Sequence, residues 1–430
     1  MFYCHQVGNC MDKHSGDLQR VAEQVDQRAL WDRLMTMAQL GALSNGGVNR
    51  QALSDEDIAA RRQLIEWATP FGFAVSTDEI GNLYVRRAGT DPEALPVLTG
   101  SHMDSQPKGG KFDGIYGVLA GFEALAALHR AGVQTRRPIE VVAWTNEEGG
   151  RFQPGMMGSA VVAGRMELTK ALAARDKNGV VFGEALARTI AATPAVERRR
   201  NGFAAHAYIE THIEQGPVLE KQGKTIGVVT GIQGIRWFAV EVTGREAHAG
   251  TSLMKERQDA LKCAVHIVAA LEKLTDDPSD IVRCTIGRFE VFPGSPNTVP
   301  GRVFFTIDFR HPDPEVFERL TAEIENTIRS TAHPCRAEVS RTLEAPPTRF
   351  RTEVVDLVRA KTEALGFSYM DIPSGGGHDA QHIHTVCPTG MIFVPCEGGI
   401  SHNEIENATA EDLVAGTRVL ATTLLELANT

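Results

Sequence analysis

Apolar positions along the chain fall into two patterns. Short unbroken runs at Leu95–Leu98, Pro138–Trp144, Ala207–Glu210 and Gly390–Val394 read as buried strands. Longer segments with apolar residues three and four apart read as helices. The first spans Leu18–Leu43 on Val21, Val25, Leu30, Leu34, Met37 and Leu40, and Asn45-Gly46-Gly47 ends it. Ser54 with Asp55-Glu56-Asp57 starts a second, running to Ala68; others cover Ile115–His129, Thr352–Leu365 and Ala410–Leu427. Phe73–Ser76 and Leu83–Arg87 form a strand pair joined through Glu79–Asn82. Residues 155–200 are mostly helical and close on a charge run, Glu197–Arg200, read as a solvated face. Strand, helix, strand around residues 95–144 implies a right-handed crossover and a parallel sheet.

The pattern changes near Gly231. Trp237–Val242, Val282–Phe289, Arg302–Arg310 and Ala337–Leu343 alternate apolar with polar, as half-buried strands do, and helices at 259–274 and 315–332 separate them. Strand-helix-strand-strand-helix-strand is a split α+β sandwich. The fold class expected is therefore α/β: a catalytic domain with a central, mostly parallel sheet (1–230 and 345–430), and an inserted open-faced sandwich (231–344).

Composition narrows the function. A net charge of −10 argues against nucleic-acid and anionic-membrane partners, and no apolar run approaches a membrane span. Residues 1–17 lack the apolar core of a secretory signal, and seven scattered cysteines without CxxC spacing fit reduced thiols in the cytoplasm. Cys4 and Cys10 raise a metal or redox idea, against which stands a frayed terminus.

The chemistry gathers at strand ends. His102 and Asp104 follow the run at 95–98, and Asp113 lies on the glycine-rich loop before the next helix. Glu147 and Glu148 follow Trp144; His212 follows Glu210; His402 follows Val394. His206, upstream of its strand, is taken as structural. Carboxyl ends of strands in open α/β sheets are where ligands bind. Imidazoles and carboxylates together suit two divalent metals, zinc foremost, with manganese, cobalt or nickel as alternatives. One bridging carboxylate and two further ligands per ion use five residues and leave one glutamate as a base. Two metals activate a shared water and polarise a substrate carbonyl.

Gly-Ser-His102-Met-Asp104, Lys-Phe-Asp113-Gly, Thr-Asn-Glu147-Glu148-Gly-Gly-Arg-Phe, His212-Ile-Glu-Gln-Gly-Pro, His248-Ala-Gly, Ser-Gly-Gly-Gly-His378-Asp and Ser401-His402-Asn-Glu resemble the M20 metallopeptidase-like superfamily. More narrowly they resemble its hydantoinase/carbamoylase branch: N-carbamoyl-L-amino acid hydrolases, allantoate amidohydrolases and β-ureidopropionases. The resemblance implies a small-molecule hydrolase of ureido C–N bonds and a homodimer formed through the inserted lid. It implies one metal on His102, Asp113 and His212, and another on Asp113, Glu148 and His402, with Glu147 as general base. Asp104 would orient His102. Gln215, His248, Asn297 and Arg310 match positions that handle substrate, Arg310 by gripping a carboxylate and His248 by stabilising an oxyanion from the partner subunit. The glycines through Gly377, before His378, would let backbone N–H groups approach substrate. After His248 this chain has Thr251-Ser252-Leu253-Met254, without the branch's proline, which implies a looser loop. Dipeptidase and aminoacylase activities of the wider superfamily are the alternatives, and so is a binding protein that lost catalysis. The His-Ile-Glu-Gln-Gly motif favours the carbamoyl branch.

Overall fold

A computed structural model describes residues 16–430, apart from Ala195, Asn201 and Phe203. Cys4 and Cys10 lie outside the described residues. The chain divides into two compact units, one reaching to Thr230 and resuming at Phe350–Thr430, the other Gly231–Arg349. The pattern places the return at 345, but a further short strand occupies Thr348–Arg349.

In chain order the first unit supplies β1 (Ala74–Thr77), β2 (Leu83–Arg87), β3 (Val97–His102), β4 (Ile139–Trp144), β5 (Glu197–Arg198), β6 (Ala207–Ile213) and β7 (Ile226–Ile232). The second supplies β8 (Gly234–Thr243), β9 (Ala247–His248), β10 (Arg283–Phe292), β11 (Thr298–Val299), β12 (Arg302–His311), β13 (Arg336–Ala345) and β14 (Thr348–Arg349). The chain returns to the first unit with β15 (Tyr369–Ser374) and β16 (Thr389–Val394).

The first unit's sheet runs β7-β16-β6-β3-β4-β2-β1-β5, with β15 against β7. Its centre, β16-β6-β3-β4, is parallel. Every residue of β3, β4, β6 and β16 is buried, which is why these strands read as unbroken apolar runs. From β3 the chain crosses through the helix Ile115–Arg130 to β4 on one side, while β6 flanks β3 on the other. That reversal of strand order makes the carboxyl end of β3 a topological switch point, the crevice that favours ligands.

β3 and β6 are longer than their apolar runs and include His102 and His212. The ladder explains the extension: β3 pairs with β4 from Val97–Ile139 through to His102–Trp144. Gly100 continues the strand at φ +139°, where a Cβ would overlap the Val142 carbonyl oxygen. The segment read as one helix over 18–43 is broken before Gln27. There the Asp26 side chain accepts from the Ala29 amide, while its own amide donates to the buried Glu123 carboxylate at 2.8 Å. The charge run 197–200 is not merely solvated. Its first two residues form β5, and the Arg199 guanidinium lies 3.2 Å from the Tyr84 ring centroid and 2.9 Å from the Glu140 carboxylate. The strand β15 has no counterpart in the apolar pattern.

In the second unit the antiparallel sheet β10-β12-β8-β13 carries helices Ala260–Leu274 and Pro314–Thr331. Val303, Phe305, Ile307 and Phe309 alternate into the core with Phe238, Val240 and Val242. Arg310 and Asp308 therefore occupy the opposite face of β12.

Among the described residues no helix is long and apolar enough to cross a membrane, and the five cysteines are unpaired.

Candidate active site

The switch point holds a cavity of about 200 Å³. His102, Asp113, Glu147, Glu148, His212, Gln215, Gly377, His378 and His402 all line it. Two sets of donor atoms lie within 4.8 Å of one another: His102, Asp113 and His212 in one, Asp113, Glu148 and His402 in the other. Asp113 is common to both. Its Oδ1 lies 3.2 Å from His212 Nε2 and 3.9 Å from His102 Nε2, and its Oδ2 lies 3.2 Å from His402 Nε2. Glu148 Oε2 is 3.4 Å from that same nitrogen.

The backbone sets the ring orientations. His102 Nδ1 lies 2.8 Å from the Asp104 carbonyl and His212 Nδ1 lies 2.9 Å from the Ile213 carbonyl. Each Nδ1–H donates there, which leaves Nε2 as the lone-pair nitrogen facing Asp113. The orienting contact from Asp104 to His102 is thus made by its main chain. That carboxylate is 3.9 Å from His102 Nδ1 and instead accepts from the Glu147 and Glu148 amides, each at 3.2 Å. It fixes the turn that presents both glutamates. Gln106, which the motifs do not mark, clamps Glu148: its amide donates to Oε1 at 3.1 Å and its Nε2 to Oε2 at 2.7 Å.

Strained backbone gathers here. Asn146, Met156, Gln215 and His402 have φ between +51° and +58°, at or beside the cavity. Such positions cost on the order of 1 kcal/mol or more each and persist where the surroundings hold them. Asn146 Nδ2 anchors its turn on the Phe152 and Pro154 carbonyls at 2.9 and 3.1 Å.

The site crowds carboxylates out of water. Burial, then Asp379 and Glu148, pushes Glu147 well above the ordinary value for a glutamate. Burial lifts Asp104 to about 7 and Glu148 to about 8. Burial lowers His102 to about 4, so its imidazole is neutral and free to ligate. Burial also opposes charge on Asp113, yet the facing imidazoles of His212 and His402 hold its carboxyl well below the usual range. Hydrogen bonding to Asp113 raises His402 to about 9. Acids sharing this cavity with facing imidazoles are a donor set that fits divalent cations, whose charge stabilises the anions.

His378 lines the cavity with its ring 4.6 Å from that of His212, and its Nε2 lies 2.9 Å from Ser374 Oγ. Gln215 Nε2 donates to Asp113 Oδ2 at 3.2 Å. His206 sits away from the site, its Nε2 3.4 Å from Thr430 Oγ1.

Three expected site residues belong to the second unit. His248 is exposed on β9 and pairs in register with Thr298 of β11, directly after Asn297; the Ala249 amide donates to the Asn297 carbonyl at 2.9 Å. Arg310 makes a two-pronged ion pair with Asp308, Nε to Oδ1 and Nη2 to Oδ2, both 2.9 Å. Asp308 also accepts from Trp237 Nε1 at 2.9 Å.

Residues 98–426 match the family described as peptidase family M20/M25/M40. The chain belongs to that family. It is a hydrolase, in a family of metal-dependent enzymes. It is 42% identical over 409 residues to an N-carbamoyl-L-amino-acid amidohydrolase of Rhizobium meliloti, covering 94% of this chain and 97% of that one. An allantoate amidohydrolase of Bacillus subtilis is 33% identical over 94% of this chain and 98% of its own. The solved structure of a hydantoinase/carbamoylase family amidase from Burkholderia multivorans aligns with a TM-score of 0.88 at 45% identity, covering 94% of this chain and 98% of the other.

The motifs gave no role to Gln106, Met156, Glu210, Asp379 or Glu406. Glu210 is buried in β6, where its Oε1 accepts from Ser101 Oγ at 2.7 Å and its Oε2 from the Ala380 amide at 2.9 Å. Asp379 is wholly buried, and Glu210 and Asp104 add to the burial that raises it well above an ordinary aspartate. An acidic residue inside an apolar strand, as Glu210 is, was the one visible signal.

Proposed function

We propose that this chain hydrolyses the ureido C–N bond of N-carbamoyl-L-amino acids, releasing the amino acid, carbon dioxide and ammonia. The observation that carries the reading is Asp113 shared between two ligand sets, with Glu147 beside them in neither set. His102, Asp113 and His212 would hold one cation, and Asp113, Glu148 and His402 the other; zinc suits this donor set best. Bound there, two cations supply Lewis-acid polarisation of the ureido carbonyl and a water of lowered pKa.

The residues do the rest. Glu147 takes a proton from the attacking water and returns it to the departing nitrogen. Asp104 keeps Glu147 and Glu148 in place through their amides. Gln215 and the Gly376–Gly377 backbone orient the ureido group. His248 and Asn297 bind the developing oxyanion, and Arg310 takes the α-carboxylate. The two-pronged pair with Asp308 supports this reading, since it uses the fork a substrate carboxylate would use. The substrate class rests on the curated relative from Rhizobium meliloti. The allantoate amidohydrolase relative supports allantoate as the second reading. Ammonia release across N-carbamoyl-L-amino acids, N-carbamoyl-β-alanine, allantoate and dipeptides, with metal supplied, separates them. A dipeptide as best substrate would overturn the proposal.

Arg310→Lys should lower kcat/KM for N-carbamoyl amino acids by roughly thirtyfold or more, since losing a buried charged hydrogen-bond pair costs about 2–5 kcal/mol. N-carbamoyl amines, which lack the carboxylate, should be poor substrates for the parent and change by less than about threefold in the variant. If all substrates change equally little, Arg310 only pairs with Asp308.

The proposed assembly is a homodimer through residues 231–344, with His248 serving the partner's site. Leu253, Met254 and Val265 of that unit are 65%, 68% and 51% exposed, apolar area that a partner copy would cover. Light scattering during turnover should give twice the chain mass; an active monomer would remove both the dimer and the role of His248 across it.

A further inference from the structure

Glu406 lies four residues beyond His402 and is only 1% exposed. No metal or substrate role falls to it, yet its carboxylate is fully engaged. Oε1 accepts from the backbone amides of Phe112 and Asp113, at 2.9 and 3.1 Å. Oε2 accepts from Ser401 Oγ at 2.9 Å. A Cβ at Gly110 would overlap this carboxylate, so the glycine loop leaves the slot that Glu406 fills. The loop before the helix Ile115–Arg130 is thereby fastened to the loop after β16, across 293 residues of sequence.

The fastening reaches the shared ligand twice. From one side Glu406 holds the main chain of Asp113. From the other, Ser401 Oγ lies 3.3 Å from Asp113 Oδ2 while it serves Glu406 at 2.9 Å. A serine hydroxyl has one proton to donate. The shorter contact takes it, and Gln215 Nε2, within 3.2 Å of Asp113 Oδ2 and 3.1 Å of Ser401 Oγ, supplies the missing donors. The Asp113 carboxylate is thus set in one orientation, one oxygen towards each half of the site. His402 sits on the same fastened loop.

We propose that Glu406 is a positioning residue that aligns Asp113 with both ligand sets and so sets the affinity of the chain for both metals. The inference rests on Asp113 being the shared ligand. A clasp that served folding alone would lower stability and leave metal affinity unchanged in the folded protein.

The test uses the full chain stripped of metal, with Glu406→Gln, Ser401→Ala and Asp113→Asn. Circular dichroism in chelator establishes that each is folded, and calorimetric titration with Mn²⁺ gives stoichiometry and affinity. Glu406→Gln should stay folded and bind Mn²⁺ about 10–100-fold more weakly, the usual cost of losing a group that orients ligands. Its kcat should fall while KM stays within about threefold, because the substrate contacts are untouched. Ser401→Ala, which leaves the amide contacts in place, should weaken Mn²⁺ by a smaller factor. A folded Glu406→Gln with parental affinity overturns the proposal. If Glu406→Gln does not fold, Ser401→Ala decides, and parental affinity there overturns it equally. Asp113→Asn separates the two levels: if it binds two ions as the parent does, the shared-ligand assignment falls and this inference with it.

Discussion

Glu147→Gln should leave the metal content of the protein unchanged and lower kcat by about 10²–10⁴-fold. The other five residues at the cavity account for both ligand sets without it. Its carboxylate still lies close, with Oε2 3.5 Å from His102 Nε2 and the chain amide held by Asp104. Glutamine has the same shape and keeps that placement but cannot accept a proton from water. Metal analysis after gel filtration, alongside ammonia release, reads the two effects separately. A variant that loses one metal would show that Glu147 ligates and that Glu148 is the base. A variant with full turnover would place the proton transfer elsewhere. Either result bears on roles within the site and leaves the fold assignment intact.

Asp113→Asn should empty both halves of the site together. Asp113 is the one residue common to the two ligand sets, and its oxygens face His212 and His402 from opposite sides. An amide has no charge to offer, and its NH₂ would turn a donor towards one of those imidazoles. Dialysed against buffered metal, the variant should hold less than about half the parent's metal, and activity should fall at least as far as in Glu147→Gln. His402→Ala is the control, because it belongs to one set only and should spare the other metal. Retention of both metals by Asp113→Asn would remove the bridge from the mechanism.

Much of this site was legible in the chain because strands buried on both faces carry short, dense apolar runs. A histidine or a pair of glutamates just beyond such a run is conspicuous, which is how His102, Glu147, Glu148, His212 and His402 were found. The split pattern over 237–343 was legible for a related reason: a sheet covered on one face alternates, and β12 does so from Val303 to Phe309. Helix ends were marked by their caps, as Ser54 and Asp259 show.

Other features depended on partners distant in the chain. The ladder with β4, not hydrophobicity, carried β3 on to His102. The helix break before Gln27 depended on Glu123 taking the Asp26 amide. Glu406 looks like a surface residue beside Asn403 and Glu404, and only the slot above Gly110 makes it a buried anchor. Asp104 is expected to orient His102, and its carbonyl meets His102 Nδ1 at 2.8 Å while its carboxylate takes the Glu147 and Glu148 amides; a motif names a residue without saying whether its main chain or its side chain is used. Local pattern determined which segments are strands and helices and which polar groups end them, because that follows from how each residue meets water and its own backbone. Tertiary structure alone decided that β6 flanks β3 opposite β4, bringing His212 to Asp113, and which buried acids fasten the site, because burial and hydrogen bonding of a side chain are set by residues far away in the chain.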